Sequence, residues 1–340
     1  MNIFIFLGNG FTIDFIKHIN KADEIDVCNL FRLGECVPWP SDKRKGFFSY
    51  KHCPNLWNLG GRTYMDTQES LVLIEDVITC ANMLNDKHSL QDASQKIYLC
   101  AYKELVQYLK ALFIFYDKKI VYTVKRKEKL NEKSNNWTWF KYIKEINNRN
   151  DVEKIHIITF NYDVWLERLL TDAKINFNIA GFETKDCKIQ IYKPNGSISF
   201  QSKIEMEKDT YNISYNFDIP DDSIEQFEIK YKDMSALGAL NALIPPAGDS
   251  TRMVDCKWAK RIRECIDEAL ETIKIEDELI LCGISYWHVD RSELDHYLCK
   301  IPMDISNVMV VNPSPPRALN AILTTYFNNV TNYTNSKHLM

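Results

Sequence analysis

Residues 3–7, IFIFL, form an unbroken apolar run that stops at Gly8, and an apolar-periodic segment follows as far as Ile19. The pattern predicts a buried strand, a tight turn and a helix. From 20 to 65 the text turns irregular and rich in aromatics, Pro and Gly, which predicts a long ordered insertion. Apolar residues at i, i+3 and i+4 then predict helices over 67–84, over 94–116 and around NNWTWFKYIKEI, so that 66–150 reads as an inserted helical subdomain. A second apolar run over 154–160 predicts a strand that ends on Asn161 and Asp163, directly before a helix in VWLERLL.

The last part repeats the strand–helix rhythm. CKIQIYKPNGSISF (187–200) predicts a strand reaching a turn at Asn195 and Gly196, and the alternating TYNISYNFDI predicts a β excursion that ALIPPAG breaks. An amphipathic helix over 255–273 leads to the strand ELILCGISYW (278–287), a helix from Asp290, the strand NVMVVNPSP (307–315) and a final helix from Pro316. Strands alternating with helices imply an α/β fold: one Rossmann-like parallel sheet with helices on both faces and right-handed crossovers, in a single domain spanning 1–340.

Composition narrows the class. With 340 residues, 45% hydrophobic and 26% charged, the chain can bury a large core. A net charge of −4 and a pI near 6.0 give no global basic field, so neither nucleic acid nor an anionic membrane is implied as a partner. The basic run 118–133 reads as a solvated face. Ten cysteines are scattered without any C-x-x-C pair, which argues against a paired zinc site and a disulfide framework. A reducing, cytoplasmic setting fits, since MNIFIFLGNG is too short in its apolar part for a signal peptide and no long apolar span occurs.

GNGFTI starts as the dinucleotide fingerprint does, but Ile13 stands at its third glycine position, which disfavours a hydride-transfer dehydrogenase. What survives is that Gly8 and Gly10 let the backbone turn and approach a phosphate at a helix N-terminus, unless they serve a tight turn only. Small or polar residues close each of five expected strands, in GNGF, TFNYD, KPNGS, CGIS and VNPSP, and together they favour a ligand crevice.

In this order, those endings resemble the sirtuin-like NAD-hydrolysing domains of bacterial anti-phage systems. TFNYD has the spacing of the stretch that holds the nicotinamide ribose, carried by Thr159, Asn161 and Asp163. Gly8, Asn9, Gly10 and Phe11 stand at the glycine-rich phosphate loop, and Asp14, one turn further, is placed either to reach a ribose or to complement the helix N-terminus. Gly283 and Ser285 match the G-x-S that meets the phosphate and the adenine-side ribose. Asn312 matches the residue that holds that ribose, and LIPP (243–246) is typical of the group.

The resemblance implies NAD as substrate, no metal, and cleavage of the nicotinamide–ribose bond with Asn161, Asp163 and the residue at 195 as catalytic candidates. The family carries a histidine in an HG dipeptide where this chain has Asn195, which cannot take a proton at any useful pH. Hydrolysis is then weakened or lost, by natural variation or by an introduced substitution. Sirtuin deacylation is disfavoured, since its four-cysteine zinc module is missing. Non-catalytic NAD binding and a pure interaction module stay open. Related systems are restrained by oligomerisation or by a sensor or phage-protein partner, for which 66–150 is the candidate surface.

Among the histidines, His156 in mid-strand reads as a satisfied core residue. His18 complements a helix C-terminus. His288 and Asp290 lie near the expected site, where helix capping explains Asp290 equally well.

Overall fold

The computed structural model describes residues 1–85, 96–124, 134–182, 186–204, 206–207, 211–213, 221–234, 238, 240–246, 256–286 and 288–340. Most of the β excursion expected in 210–219 lies outside the described residues, its described part, 211–213, forming no strand, and so does most of the basic run 118–133. The chain folds as two compact units, one of Met1–Ala22, Val121–Pro194 and Ala259–Met340, the other of Asp23–Ile120 and Asn195–Trp258. The described strands are, in chain order, β1 (Asn2–Leu7), β2 (Lys154–Thr159), β3 (Phe177–Ile179), β4 (Ile189–Tyr192), β5 (Phe200–Ser202), β6 (Phe227–Ile229), β7 (Glu278–Cys282), β8 (Asn307–Val311) and β9 (Val330–Tyr333).

The first unit is built on a parallel sheet of seven strands in the order β3-β4-β2-β1-β7-β8-β9, flanked by helices. Its central strands are mostly apolar and, after a polar first residue, buried on both faces, which is what a sheet covered by crossover helices requires. The chain leaves β1 towards β2 and later returns on the other side of β1 as β7, so the topological switch lies between β1 and β7. Leu7 pairs in register with Thr159 and with Cys282, and Cys282 with Val311, so four neighbouring strands end level.

His156 sits in the middle of β2, its ring stacked on Phe4 at 4.5 Å and its Nδ1 hydrogen-bonded to the Tyr192 hydroxyl at 2.9 Å. Burial, helped by Lys154, lowers its pKa to about 4, so it is a neutral core residue as the sequence suggests. The helix Thr138–Asn148 belongs to this unit, where the sequence reading placed it in the helical subdomain. Its indole and phenyl rings bury beside the helix Asn9–His18, with Phe11 and Trp139 at 5.5 Å.

The second unit combines the helices Pro54–Asn58, Thr67–Asn85 and most of Ile97–Val124 with the antiparallel pair β5–β6. Segment 23–65 is ordered by aromatic packing, with Phe31 stacked on Phe48 at 4.5 Å and Trp39 on His52 at 3.9 Å. The buried Glu104 carboxylate accepts from the Asn55 and Leu56 amides, which fixes the short helix Pro54–Asn58 by its positive end. All ten cysteines are free thiols. Among the described residues no helix is long and apolar enough to cross a membrane.

Lys110 is a buried amine of this unit. It is 1% exposed, and its only hydrogen bond to a described residue goes to the Phe200 carbonyl at 3.3 Å. Burial lowers its pKa from 10.5 to about 7. The unfolded chain therefore binds a proton below 10.5 that the folded chain binds only below about 7, and stability rises with pH between the two. Lys110→Met is expected to stabilise the protein by about 1–4 kcal/mol at neutral pH, as buried charges replaced by apolar residues do. Urea unfolding midpoints at pH 7 and 9.5 check it, with the gain shrinking at the higher pH.

Candidate functional site

The level strand ends bring most of the sequence candidates of the first unit together. Thr159 closes β2, and its hydroxyl accepts from the Asn161 amide at 3.3 Å. The Asn161 side chain reaches across to β1, its Nδ2 donating to the Gly8 carbonyl at 2.9 Å. No described residue donates to its Oδ1, and the side chain is half-buried, so one acceptor stands free at the edge of the sheet. On the far side of the switch, Asn312 closes β8 and its Nδ2 approaches the Ile284 carbonyl at 3.4 Å, while its Oδ1 accepts from the Ser314 amide at 3.1 Å. Asn9 and Ser285 are exposed at the same edge.

Gly8 and Gly10 serve backbone packing, the tight-turn alternative of the sequence. The Gly8 amide donates to the Cys282 carbonyl at 2.8 Å, the Gly10 amide to the Gly283 carbonyl at 3.0 Å, and the Phe11 amide to the Gly8 carbonyl at 3.1 Å. These three amides are committed to backbone and do not form an anion cradle. A Cβ on Gly10 would lie 2.5 Å from the Gly283 Cα, and one on Gly8 would lie 2.5 Å from the Gly283 carbonyl oxygen. The turn after β1 and the turn after β7 therefore cross backbone on backbone, and Gly283 also needs its positive φ of +59°. The close packing that a third glycine gives in the dinucleotide fingerprint is supplied from another strand. Gly10→Val is expected to destabilise by about 1–3 kcal/mol through overpacking against Gly283. A lowered melting temperature with no ligand present checks it.

Beyond Gly283 the loop passes through a second positive φ, +48° at Tyr286, a conformation a bulky residue rarely takes. The buried Tyr286 is held there by its hydroxyl, which donates to Asp295 at 2.6 Å, and by Arg291 over its ring at 5.0 Å. Ser285, just before it, is exposed. His288 and Asp290 open the helix His288–Leu298, and their side chains lie outside the described residues.

Three candidates are turned inward. Phe11 is buried between Trp137 at 4.9 Å and Trp139 at 5.5 Å. Asp14 accepts from the Trp137 indole at 2.7 Å, which ties its helix to the segment before Thr138–Asn148. Asp163 is buried, with Oδ2 taking the Thr12 hydroxyl at 2.7 Å and Oδ1 the Trp165 amide at 3.2 Å. Burial pushes its carboxyl above the usual range, against the opposing pull of Lys193 and the Thr12 hydrogen bond. Geometry thus makes Asp163 a tie between helices Asn9–His18 and Trp165–Asp172.

Beneath that tie lies a buried ion pair the sequence reading missed. Lys193 donates to Glu167 at 2.8 Å and to the Asp163 carbonyl at 2.5 Å, with both charged side chains nearly inaccessible. Charged residues normally read as surface, and only the position of Lys193 just after an apolar strand hinted at burial.

Asn195 belongs to the second unit. It is 9% exposed, and its carbonyl accepts from the Ile244 amide at 3.0 Å. Gly196, at φ +86°, forms an antiparallel bridge with Leu243, and a Cβ there would lie 2.1 Å from the Ala242 carbonyl oxygen. KPNGS and LIPP, distant in sequence, are therefore joined backbone to backbone. Among the described residues no group of three or more His, Cys, Asp or Glu is placed to hold a metal ion.

No protein-family model matches the chain, and no curated protein matches it.

Proposed function

We propose that the first unit binds NAD+ across the carboxyl ends of β2, β1, β7 and β8, and that the chain is an NAD+ glycohydrolase of anti-phage defence, working in the cytoplasm. One observation carries the reading. The register that levels Leu7, Thr159, Cys282 and Val311 gathers Asn161, Asn9, Ser285 and Asn312 around the switch point, where open α/β sheets take their ligands. The fit to a dinucleotide is partial. The Gly8 and Gly10 amides are already used, so the pyrophosphate and adenine-side ribose fall to the side chains of Asn9, Ser285 and Asn312.

In the reaction a water oxygen bonds to C1′ of the nicotinamide ribose, the C1′–N bond breaks with its electron pair going to nicotinamide, which leaves neutral, and one water proton passes to solvent, giving ADP-ribose. The free Oδ1 of Asn161 suits a ribose hydroxyl or the water, holding either in line. Incubation with NAD+ and assay of free nicotinamide test this, with Asn161→Ala beside the unaltered chain. Loss of release in a folded Asn161→Ala protein is expected. Equal release by both would remove Asn161 from the site.

A second reading, binding without turnover, is favoured by the state of the acids. Asp163 and Asp14 are committed to Thr12 and Trp137, and the position the resemblance gives to the histidine holds Asn195. Control by self-association or by a sensor or phage-protein partner accompanies either reading.

A further inference from the structure

Residues 37–46 form a short hairpin whose tip is a block of cations. Pro38 and Lys45 pair antiparallel, the Trp39 amide donates to the Arg44 carbonyl at 2.7 Å, and the Lys43 amide donates to the Trp39 carbonyl at 2.9 Å. The turn that follows is tied to it, with the Ser49 hydroxyl donating to the Gly46 carbonyl at 2.7 Å and the His52 ring stacked on Trp39 at 3.9 Å. Burial and Lys51 lower the His52 pKa while Asp42 opposes them, so Lys51 of the turn and Asp42 of the tip both stand close to that ring.

Within 42–51 four exposed cations, Lys43, Arg44, Lys45 and Lys51, meet one acid, Asp42. Asp42 accepts from the Arg44 amide at 2.9 Å but reaches the Arg44 Nε only at 3.6 Å. Lys43, Lys45 and Lys51 make no ion pair among the described residues. By contrast Arg32 meets Asp26, and Arg149 meets Asp151, each at 2.6 Å. Lys43 also holds φ +58°, a left-handed conformation that Gly and Asn take more readily than lysine. In a chain of net charge −4 the positive field is therefore local. Val37, Trp39, Phe47 and Phe48 are buried, whereas Tyr50 beside the cations is 61% exposed.

We infer that this basic patch docks single-stranded nucleic acid, with the cations on phosphates and Tyr50 stacked on a base. Unpaired cations on a turn held by its own backbone fit a regularly charged strand. The exposed ring fits an unpaired base, which a duplex does not offer. An anionic membrane fits less well, because the hairpin exposes no large aliphatic or indole side chain to enter the lipid. The patch belongs to the second unit, whereas the proposed NAD site is built from the first, and its test needs no NAD+.

The test is fluorescence anisotropy of labelled oligothymidine and oligouridine, each of about fifteen nucleotides, titrated with the full chain at low salt. Saturable binding is expected, with log affinity falling against log salt at a slope of about −2 to −3, as three or four phosphate contacts give. Replacing Lys43, Arg44 and Lys45 together by Gln is expected to weaken binding at least about tenfold and to flatten that slope to about −1. Tyr50→Leu is expected to weaken it roughly 5- to 100-fold with the slope unchanged, the worth of one stacked base. All four side chains are exposed, so the melting temperature should hold within a few degrees. Lys337→Gln, at an exposed cation of the first unit, should leave the affinity as it is. Absence of binding to both oligonucleotides overturns the inference, as does an affinity indifferent to the triple variant or to Tyr50→Leu. Binding of a duplex of the same length, of polyglutamate or of anionic lipid vesicles as tight as that of the single strand overturns it too.

Discussion

Asn195→His is expected to speed nicotinamide release by roughly 10²- to 10⁴-fold, the usual contribution of a general base. The expectation rests on the resemblance of KPNGS to the segment in which sirtuin-like NAD hydrolases carry a histidine, and on the chemistry of the two side chains. An amide can hydrogen-bond a hydroxyl but cannot accept its proton, whereas a neutral imidazole does both. Affinity for NAD+ should therefore be similar in the two proteins and the difference should fall on turnover. The rate of the histidine form should rise with pH through about 6.5 as the imidazole loses its proton, a dependence the asparagine form has no reason to show. Gly196 must keep its φ of +86° beside Ala242, and since the substitution leaves that glycine in place the loop should accept it. Equal, fast rates in both proteins would assign the proton to another group. Equal, absent rates with NAD+ bound would favour the reading of a binder.

Lys193→Met is expected to cost about 3–5 kcal/mol of stability, because it strands the Glu167 carboxylate in the interior of the first unit. The loss is of this size because Lys193 serves two acceptors, Glu167 at 2.8 Å and the Asp163 carbonyl at 2.5 Å. Removing the second charge as well, in Lys193→Met with Glu167→Leu, should return more than half of the loss, since an apolar pair of similar volume avoids the desolvation of both ions. Denaturant midpoints of the single and double variants measure the coupling directly. Additive losses would mean that the pair is not the reason for either burial. The site depends on this pair through Asp163, whose bonds to Thr12 and Trp165 set the helix that follows Asn161.

The parts of the fold legible in the sequence are those whose physics is local. IFIFL, the run before Asn161, ELILC and NVMVV are buried on both faces over nearly all their length, so each appears as mostly apolar text, and all four form inner strands of the sheet. β9 was not foreseen because VTNY lies at the edge with its middle residues exposed and carries almost no apolar signal. β3 is three residues long, too short for a pattern. The stretch 187–200, one strand in the reading, divides into β4 of the seven-stranded sheet and β5 of the second unit, because Gly196 turns the chain against Leu243. At the site, the small and polar residues that close β1, β2, β7 and β8 could be read from the sequence, while Asn195 of KPNGS belongs to the other unit. The inward turn of Asp163, the crossing of Gly10 on Gly283 and the burial of Lys193 could not, since each depends on a partner far away in the chain.

The central claim, that the strand-end edge of the first unit takes NAD+, is tested most directly by calorimetric titration of the unaltered chain with NAD+, repeated on Asn312→Ala and Asn161→Ala. The account predicts saturable binding of one NAD+ per chain, a melting temperature that climbs with ligand concentration as binding to the folded state demands, and clearly weaker binding in both variants. No heat and no thermal shift up to millimolar NAD+, or an affinity indifferent to both substitutions, would contradict it.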